Sequence, residues 1–320
     1  MLPSGSFILL FALGVANLVQ GLLASLVVIV LILLAGALTV AALFFLPCKN
    51  SVYESYSRLL SGLTANKSKF MNVGIWSGGE DLEEANLALS RRLRALSGMD
   101  SKSIVIDVGV GYGDQLNVWR EVSPASISAI DIAPEAVAEA RRKHGGATVS
   151  IGRGDATLLP YPDDYADIVI CMESAFHYDS RKKFFGEAFR VLKPGGRLVC
   201  SDVVLGSRGV AASFCQQFWY GAVGMARCNR HGAETYEREL VDTGFQATVD
   251  DVTDNTIVPY FNAITKIISE QTNSGTLWES LIRRLACVCS SWNSICMSKD
   301  PPFRYLISVA VKPDSKAETN

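Results

Sequence analysis

Two kinds of hydrophobic pattern divide the chain. Residues 7–46 are an almost unbroken run of Leu, Val, Ala, Ile, Phe and Gly, and no charged residue or histidine occurs in residues 1–48. So long a run has no polar face to turn toward water, and about 20 apolar residues suffice to cross a bilayer. Residues 21–46 reach that length alone, and Pro47 offers a stop for the helix. The piece at 7–18 either forms the first arm of a hairpin turned near Asn17, Gln20 and Gly21 or extends one tilted helix. A secretory leader would begin with positive charge and hold an apolar stretch of only about 7–15 residues. Neither feature is present, so residues 1–48 are expected to form a transmembrane anchor.

Past residue 100 the pattern changes to short β-branched runs alternating with amphipathic stretches, the mark of a mostly parallel sheet covered by helices. Strands are predicted at 103–108, 126–131, 148–152, 166–171, 197–203, 246–251 and 304–311. Helices are predicted at 82–96, 115–121, 134–144, 180–192 and 233–243. This gives an α/β domain over 102–312, preceded by a linker and helices at 49–101 and followed by a disordered tail at 313–320. Two stretches do not fit simple crossovers: 206–232, with Phe214, Phe218, Trp219 and Tyr220, and 253–302, with helical patterns of its own. Loops this long are usually functional lids. Their aromatic residues suit either an apolar pocket or ordinary packing surface. Trp278, Leu281, Ile282, Leu285 and Trp292, beside Arg283 and Arg284, also suit a membrane surface.

Composition narrows the class. At 320 residues and 49% hydrophobic content the chain can hold one substantial domain with additions. A net charge of -2, with no basic block, disfavours a nucleic-acid substrate. The eight cysteines, at 48, 171, 200, 215, 228, 287, 289 and 296, include no C-x-x-C pair and no zinc set, and reduced thiols are expected. Cys287, Cys289 and Cys296 read as small buried hydrophobes or as lipid-acylated residues if their segment meets the bilayer. Lys49, Arg58, Lys67 and Lys69, against Glu54, place the following domain on the cytosolic side of the membrane.

The segment that carries chemistry is Ile104-Val-Ile-Asp107-Val-Gly109-Val-Gly111-Tyr-Gly113-Asp114, a strand running into a glycine turn that opens a helix. Glycines there let the backbone bend sharply and approach a ligand where a Cβ would collide. Asp131 closes the next strand, where a carboxylate can accept hydrogen bonds from both hydroxyls of a ribose. The G-x-G-x-G spacing, with an acid two places before its first glycine, differs from the G-x-G-x-x-G of a dinucleotide site. Gly154-Asp155-Ala156 after the third strand and Val191-Leu-Lys-Pro-Gly195-Gly196-Arg-Leu before the fifth follow in order.

Together these motifs resemble the class I methyltransferases that use S-adenosylmethionine, in the branch of small-molecule enzymes that includes sterol and tocopherol methyltransferases. The resemblance covers roughly residues 70–252. It implies a Rossmann-like seven-stranded sheet with the last strand antiparallel and helices on both faces. It also implies that Asp107, Gly109, Gly111 and Gly113 line the methionine end of the cofactor, that Asp131 holds the ribose with Ile132 beside the adenine, and that Asp155 and Ala156 recognise the adenine edge. Asn72, Gly74 and Trp76 resemble a segment that closes over the cofactor. Asp300-Pro-Pro-Phe303 looks like a D-P-P-Y motif, but it precedes the seventh strand rather than following the fourth, and it reads as a turn into a strand.

Methyl transfer requires alignment of nucleophile, methyl and sulfur and the exclusion of water. A hydroxyl acceptor, or a carbon that must later lose a proton, also needs a proton acceptor. The fourth strand ends in Cys171-Met-Glu173-Ser-Ala-Phe-His177-Tyr178, which makes Glu173 and His177 the candidate catalytic residues. They meet only if that turn is helical. Tyr178 and Tyr112 either border the methyl or pack, while His144 and His231 read as solvated. No metal set is apparent. The expected activity is methyl transfer to a small lipophilic acceptor, such as a sterol, quinone or prenyl lipid, at the surface of the endoplasmic reticulum or another endomembrane. A soluble amine or phenol as acceptor is the alternative, and a non-catalytic membrane scaffold that binds the cofactor is the third.

Overall fold

The computed structural model describes residues 72–206, 224–270 and 303–314. The anchor expected at 1–48, the linker as far as 71, the aromatic stretch at 207–223, the segment at 271–302 with its cysteines and D-P-P turn, and the tail from 315 lie outside the described residues. Among the described residues, no helix is long and apolar enough to cross a membrane.

The strands are β1 (Ile104–Val108), β2 (Ser126–Asp131), β3 (Val149–Arg153), β4 (Ala166–Met172), β5 (Leu192–Leu205), β6 (Gln246–Asp251) and β7 (Phe303–Val311). They form one sheet in the order β3-β2-β1-β4-β5-β7-β6. The first five run parallel, and β7 inserts antiparallel between β5 and β6, as expected for the last strand. In β1 and β4 nearly every position is buried, which is why their sequences are mostly apolar, broken only by Asp107 and Asp167, rather than alternating. At the edge, β6 carries Gln246, Thr248, Asp250 and Asp251, and such polar residues discourage further strand pairing.

Helices cover both faces: α1 (Leu82–Ser97), α2 (Leu116–Arg120), α3 (Pro134–His144), α4 (Arg181–Val191), α5 (Ala233–Thr243) and α6 (Ile257–Glu270). α1 starts in a reciprocal cap between Asp81 and Glu84, and stops where Gly98 turns left-handed. Its Leu89 and Leu93 pack with Trp119 of α2, Val137 and Ala140 of α3, and Val105, Ile127 and Ile170 of the sheet. On the other face Phe184 and Phe185 of α4 and Tyr236 and Leu240 of α5 pack against Ile106, Val169 and Leu198. Full burial of each such side chain stabilises the fold by roughly 1.5–3 kcal/mol.

Two elements differ from the pattern-based expectation. β5 begins at Leu192 rather than 197, because Leu192 pairs with Ala166 and the Gly195-Gly196 turn is drawn into the ladder. There Gly195 N–H donates to the Lys312 carbonyl at 2.8 Å, and Lys312 N–H donates to the Gly196 carbonyl at 2.9 Å. The described start of the segment expected as a second lid is α6, whose Tyr260 and Ile264 pack on Trp76 and Ala85. The order of strands reverses direction between β1 and β4. Ligands of open α/β sheets bind outside the carboxyl ends of the strands at such a reversal.

Candidate active site

The glycine turn leaves β1 at that reversal and is stitched to the end of β2. Gly109 N–H and Val110 N–H both donate to the Ile130 carbonyl, at 2.8 and 3.0 Å. Gly111 N–H donates to Oδ2 of Asp131 at 2.8 Å, and Ala133 N–H donates to its Oδ1 at 2.9 Å. Gly109 has φ 79°, and a Cβ there would lie 2.2 Å from Ser174 Oγ and 2.8 Å from the Tyr178 hydroxyl. Conformation and space both demand glycine at that position. Tyr178 and Ser174 therefore pack beneath the turn, each donating to the Val108 carbonyl at 3.1 Å.

Asp131 is half-buried with each oxygen engaged by one backbone N–H, so lone pairs remain for a ligand. Burial raises its carboxyl above the ordinary range, against the pull of the N–H groups of Ala133, Gly111 and Ile132. Beside it Ile132 is 55% exposed, an apolar side chain left open to solvent. Asp155 is exposed, and its Oδ1 closes its own turn by accepting from the backbone and hydroxyl of Thr157, both at 2.8 Å. Ala156 is buried next to it.

Asp107 lies under the turn, fully buried. Its Oδ2 accepts from Trp119 Nε1 at 2.7 Å and from Gln115 Nε2 at 3.3 Å, while its Oδ1 has no partner. Burial pushes the carboxyl up to about 7; hydrogen bonds from Trp119 and Gln115 oppose this, and nearby Asp131 adds to it. An unpaired oxygen on a buried carboxylate is costly, and a cationic donor such as the ammonium of a methionine moiety would satisfy it. With the Cβ-free turn above it and Asp131 alongside, these residues fit an adenosine that bears a methionine-derived sulfonium.

Glu173 follows β4 with φ 51°, a left-handed conformation unusual for a side chain of its size. Its Oε1 accepts from Val73 N–H at 2.8 Å and from the Tyr305 hydroxyl at 2.6 Å, and among the described residues its Oε2 makes no hydrogen bond. Desolvation pushes this carboxyl up to about 7, opposed by those two donors. His177 ends a short 3-10 turn, Ala175–His177, with its ring on Phe176 at 3.9 Å and Nδ1 3.3 Å from the Gly224 carbonyl. The turn is helical only after Glu173, and no hydrogen bond joins the two candidates.

Trp76 is buried with Tyr260 and Ile264, its Nε1 donating to the Val73 carbonyl at 2.9 Å and its backbone N–H to the Asn255 carbonyl at 2.8 Å. Its indole thus ties the 72–76 segment to α6, while Val73 ties that segment to Glu173. The expectation of solvated histidines is corrected. His144 is buried against Gly113 because it shares the inward face of α3 with Val137 and Ala140. His231 sits 3.3 Å from Glu239 and 3.4 Å from Arg181, largely out of solvent. Among the described residues no group of His, Cys, Asp or Glu is placed to hold a metal ion.

Sequence reasoning missed Tyr305 and a second network. Arg181 and Asp202 form an ion pair at 2.7 Å with both side chains fully buried, and Asp202 Oδ1 accepts from Phe176 N–H at 3.1 Å. Arg181 also donates to the carbonyls of Asn229 and Val203, and Asn229 Nδ2 donates to the carbonyls of Ala175, Phe176 and Tyr178. The end of the first expected lid is therefore built into the body, where it braces the loop that bears His177. The signal available was an aspartate inside the apolar run of β5.

A methyltransferase domain family matches residues 106–200. The chain is 34% identical over 206 residues to erythromycin 3''-O-methyltransferase of Saccharopolyspora erythraea, covering 60% of this chain and 67% of that one. It is 31% identical over 127 residues to a fatty-acid O-methyltransferase of Mycolicibacterium smegmatis, covering 39% of this chain and 46% of that one. The match thus spans about two thirds of the first relative's length and under half of the second's. Phosphoethanolamine N-methyltransferase 2 of Haemonchus contortus, solved with S-adenosyl-L-methionine, shares the fold with a TM-score of 0.60 at 19% identity, over 71% of this chain and 52% of that one.

Proposed function

The chain belongs to the class I S-adenosylmethionine-dependent methyltransferases, and from that premise we propose that it methylates a hydroxyl oxygen of a small lipophilic acceptor at a membrane surface. The observation that carries this reading is Glu173: a strained carboxylate near 7, just past the carboxyl end of β4, with one oxygen unengaged among the described residues. A group with those properties is suited to take a proton at neutral pH. Two relatives named as O-methyltransferases, one acting on erythromycin and one on fatty acids, support the choice of oxygen and of an apolar acceptor. The uncharged residues 1–48 support delivery from a membrane, with the domain on the cytosolic face of an endomembrane.

When bound, S-adenosylmethionine supplies an electrophilic methyl on a sulfonium. The residues of this chain do the rest. Asp131 would hold the ribose hydroxyls, Ile132 would lie beside the adenine, Asp155 and Ala156 would meet its edge, and Asp107 would pair with the ammonium. Glu173 takes the proton that the acceptor hydroxyl must lose, and His177, on the braced loop, shapes the acceptor side. The test is to incubate the full chain with a labelled methyl donor and, separately, lipid and aqueous cell extracts. Label in oxygen-linked methyl groups of the lipid fraction is expected. Label confined to amines or to aqueous products would overturn the proposal.

A further inference from the structure

Tyr305 lies in β7, a strand that reaches the site only because it inserts between β5 and β6. The residue is fully buried, and both of its backbone groups are engaged: its N–H donates to Thr253 Oγ1 at 2.9 Å, and its carbonyl accepts from Val252 N–H at 2.9 Å. With the base of the side chain fixed, the phenol meets Glu173 Oε1 at 2.6 Å, with the Ser201 side chain also acting on it. A buried tyrosine hydroxyl left without a partner would be costly, so this bond is retained. Burial also drives the phenol well above its ordinary range, with the Glu173 charge adding to the shift. Tyr305 therefore donates and does not itself accept the proton.

We infer that Tyr305 is a positioning residue for proton removal: together with Val73 N–H it clamps Oε1 of Glu173, so that Oε2 is the oxygen offered to the acceptor. The inference rests on the oxygen-methylation reading above and deepens it. In the step it serves, the acceptor oxygen forms a bond to the methyl carbon and the C–S pair returns to sulfur. The hydroxyl proton passes to Oε2 and then to solvent. Because both donors grip one oxygen, the carboxylate cannot rotate to exchange its oxygens without breaking two bonds at once. The left-handed backbone of Glu173 is held in the same way, from β7 on one side and the 72–76 segment on the other. The charged and titratable groups facing the carboxyl are Tyr305 from β7 and Asp202 from β5, whose charge is balanced by Arg181 of α4. From the 72–76 segment it receives the backbone N–H of Val73.

The experiment is an infrared titration of the full-length protein, following the protonated-carboxyl band that disappears in Glu173→Gln. Removing the phenol in Tyr305→Phe deletes a bond that favours the charged form, so the Glu173 midpoint should rise by about one pH unit, a tenfold gain in proton affinity. Placing 3,5-difluorotyrosine at position 305 strengthens the donor and should move the midpoint the other way. Because this analogue nearly preserves the ring, it keeps the test decisive if the phenylalanine variant folds poorly. A midpoint that ignores both changes would overturn the inference. Methyl transfer to a fatty alcohol probe, dispersed in detergent, separates the two claims: full activity in Glu173→Gln sinks the base itself, whereas an unmoved midpoint sinks only the role of Tyr305.

Discussion

Asp107 and Glu173 both have carboxyls near 7 for the same first reason, desolvation, yet they differ in what remains unpaired. Asp107 keeps a fully buried orphan oxygen, whereas half-buried Glu173 keeps an oxygen with no hydrogen bond among the described residues. Their folded values lie above ordinary carboxyl values, so folding favours the protonated forms. The stability they contribute is present below about pH 4 and is lost as pH rises through about 7. Asp107→Asn should therefore raise the melting temperature of the cofactor-free protein at pH 8 by several degrees, corresponding to about 1–3 kcal/mol, and change it little at pH 4. The same variant should bind S-adenosylmethionine at least about tenfold more weakly, because the cationic partner loses its charge-assisted bond. Melting curves at both pH values, with and without cofactor, check the two effects together. Asp107, Asp131 and the glycines were legible because the motif is local in sequence. Tyr305 was not, since it meets Glu173 from 132 residues away through a strand insertion that no local pattern encodes.

At the scale of elements, the strand ends were legible wherever an apolar run stops at a charged or glycine residue, as at Asp131 and Gly109. The beginning of β5 was not legible, since Pro-Gly-Gly reads as a turn and only pairing with β4 and Lys312 draws it into the ladder. Arg181 is the sharper lesson. Of the three consecutive cations in Ser180-Arg-Lys-Lys, it is the one that turns inward to Asp202. It links α4 to β5 through the ion pair and to the 224–232 segment through hydrogen bonds to Asn229. Breaking a buried pair from one side strands the other charge, which costs about 3–5 kcal/mol, whereas replacing both partners can be nearly neutral. Urea unfolding of Arg181→Met, Asp202→Leu and the double variant should show two large losses and a double variant well above their sum. Additive losses would mean that the pair does not brace the loop.

For the whole molecule, the resemblance implied seven strands with the last one antiparallel, and the described residues carry both, whereas the strand order came from the structure. What sequence did not convey is how one region closes on another. Val73 to Glu173, Trp76 to Asn255 and Tyr260, and Tyr305 to Thr253 join the residues before α1, the end of β4, β7 and the turn into α6 around the carboxyl edge of the sheet. Those contacts depend on tertiary geometry rather than on period or motif. At this scale everything depends on the cofactor site proposed at the glycine turn and Asp131. Calorimetric titration of S-adenosylmethionine into the full chain and into Asp131→Ala tests it most directly. The account predicts measurable binding by the unaltered protein and a loss of about 100-fold or more in the variant, since ribose contacts and the bond to Gly111 go together. Equal affinity in the two proteins would contradict it.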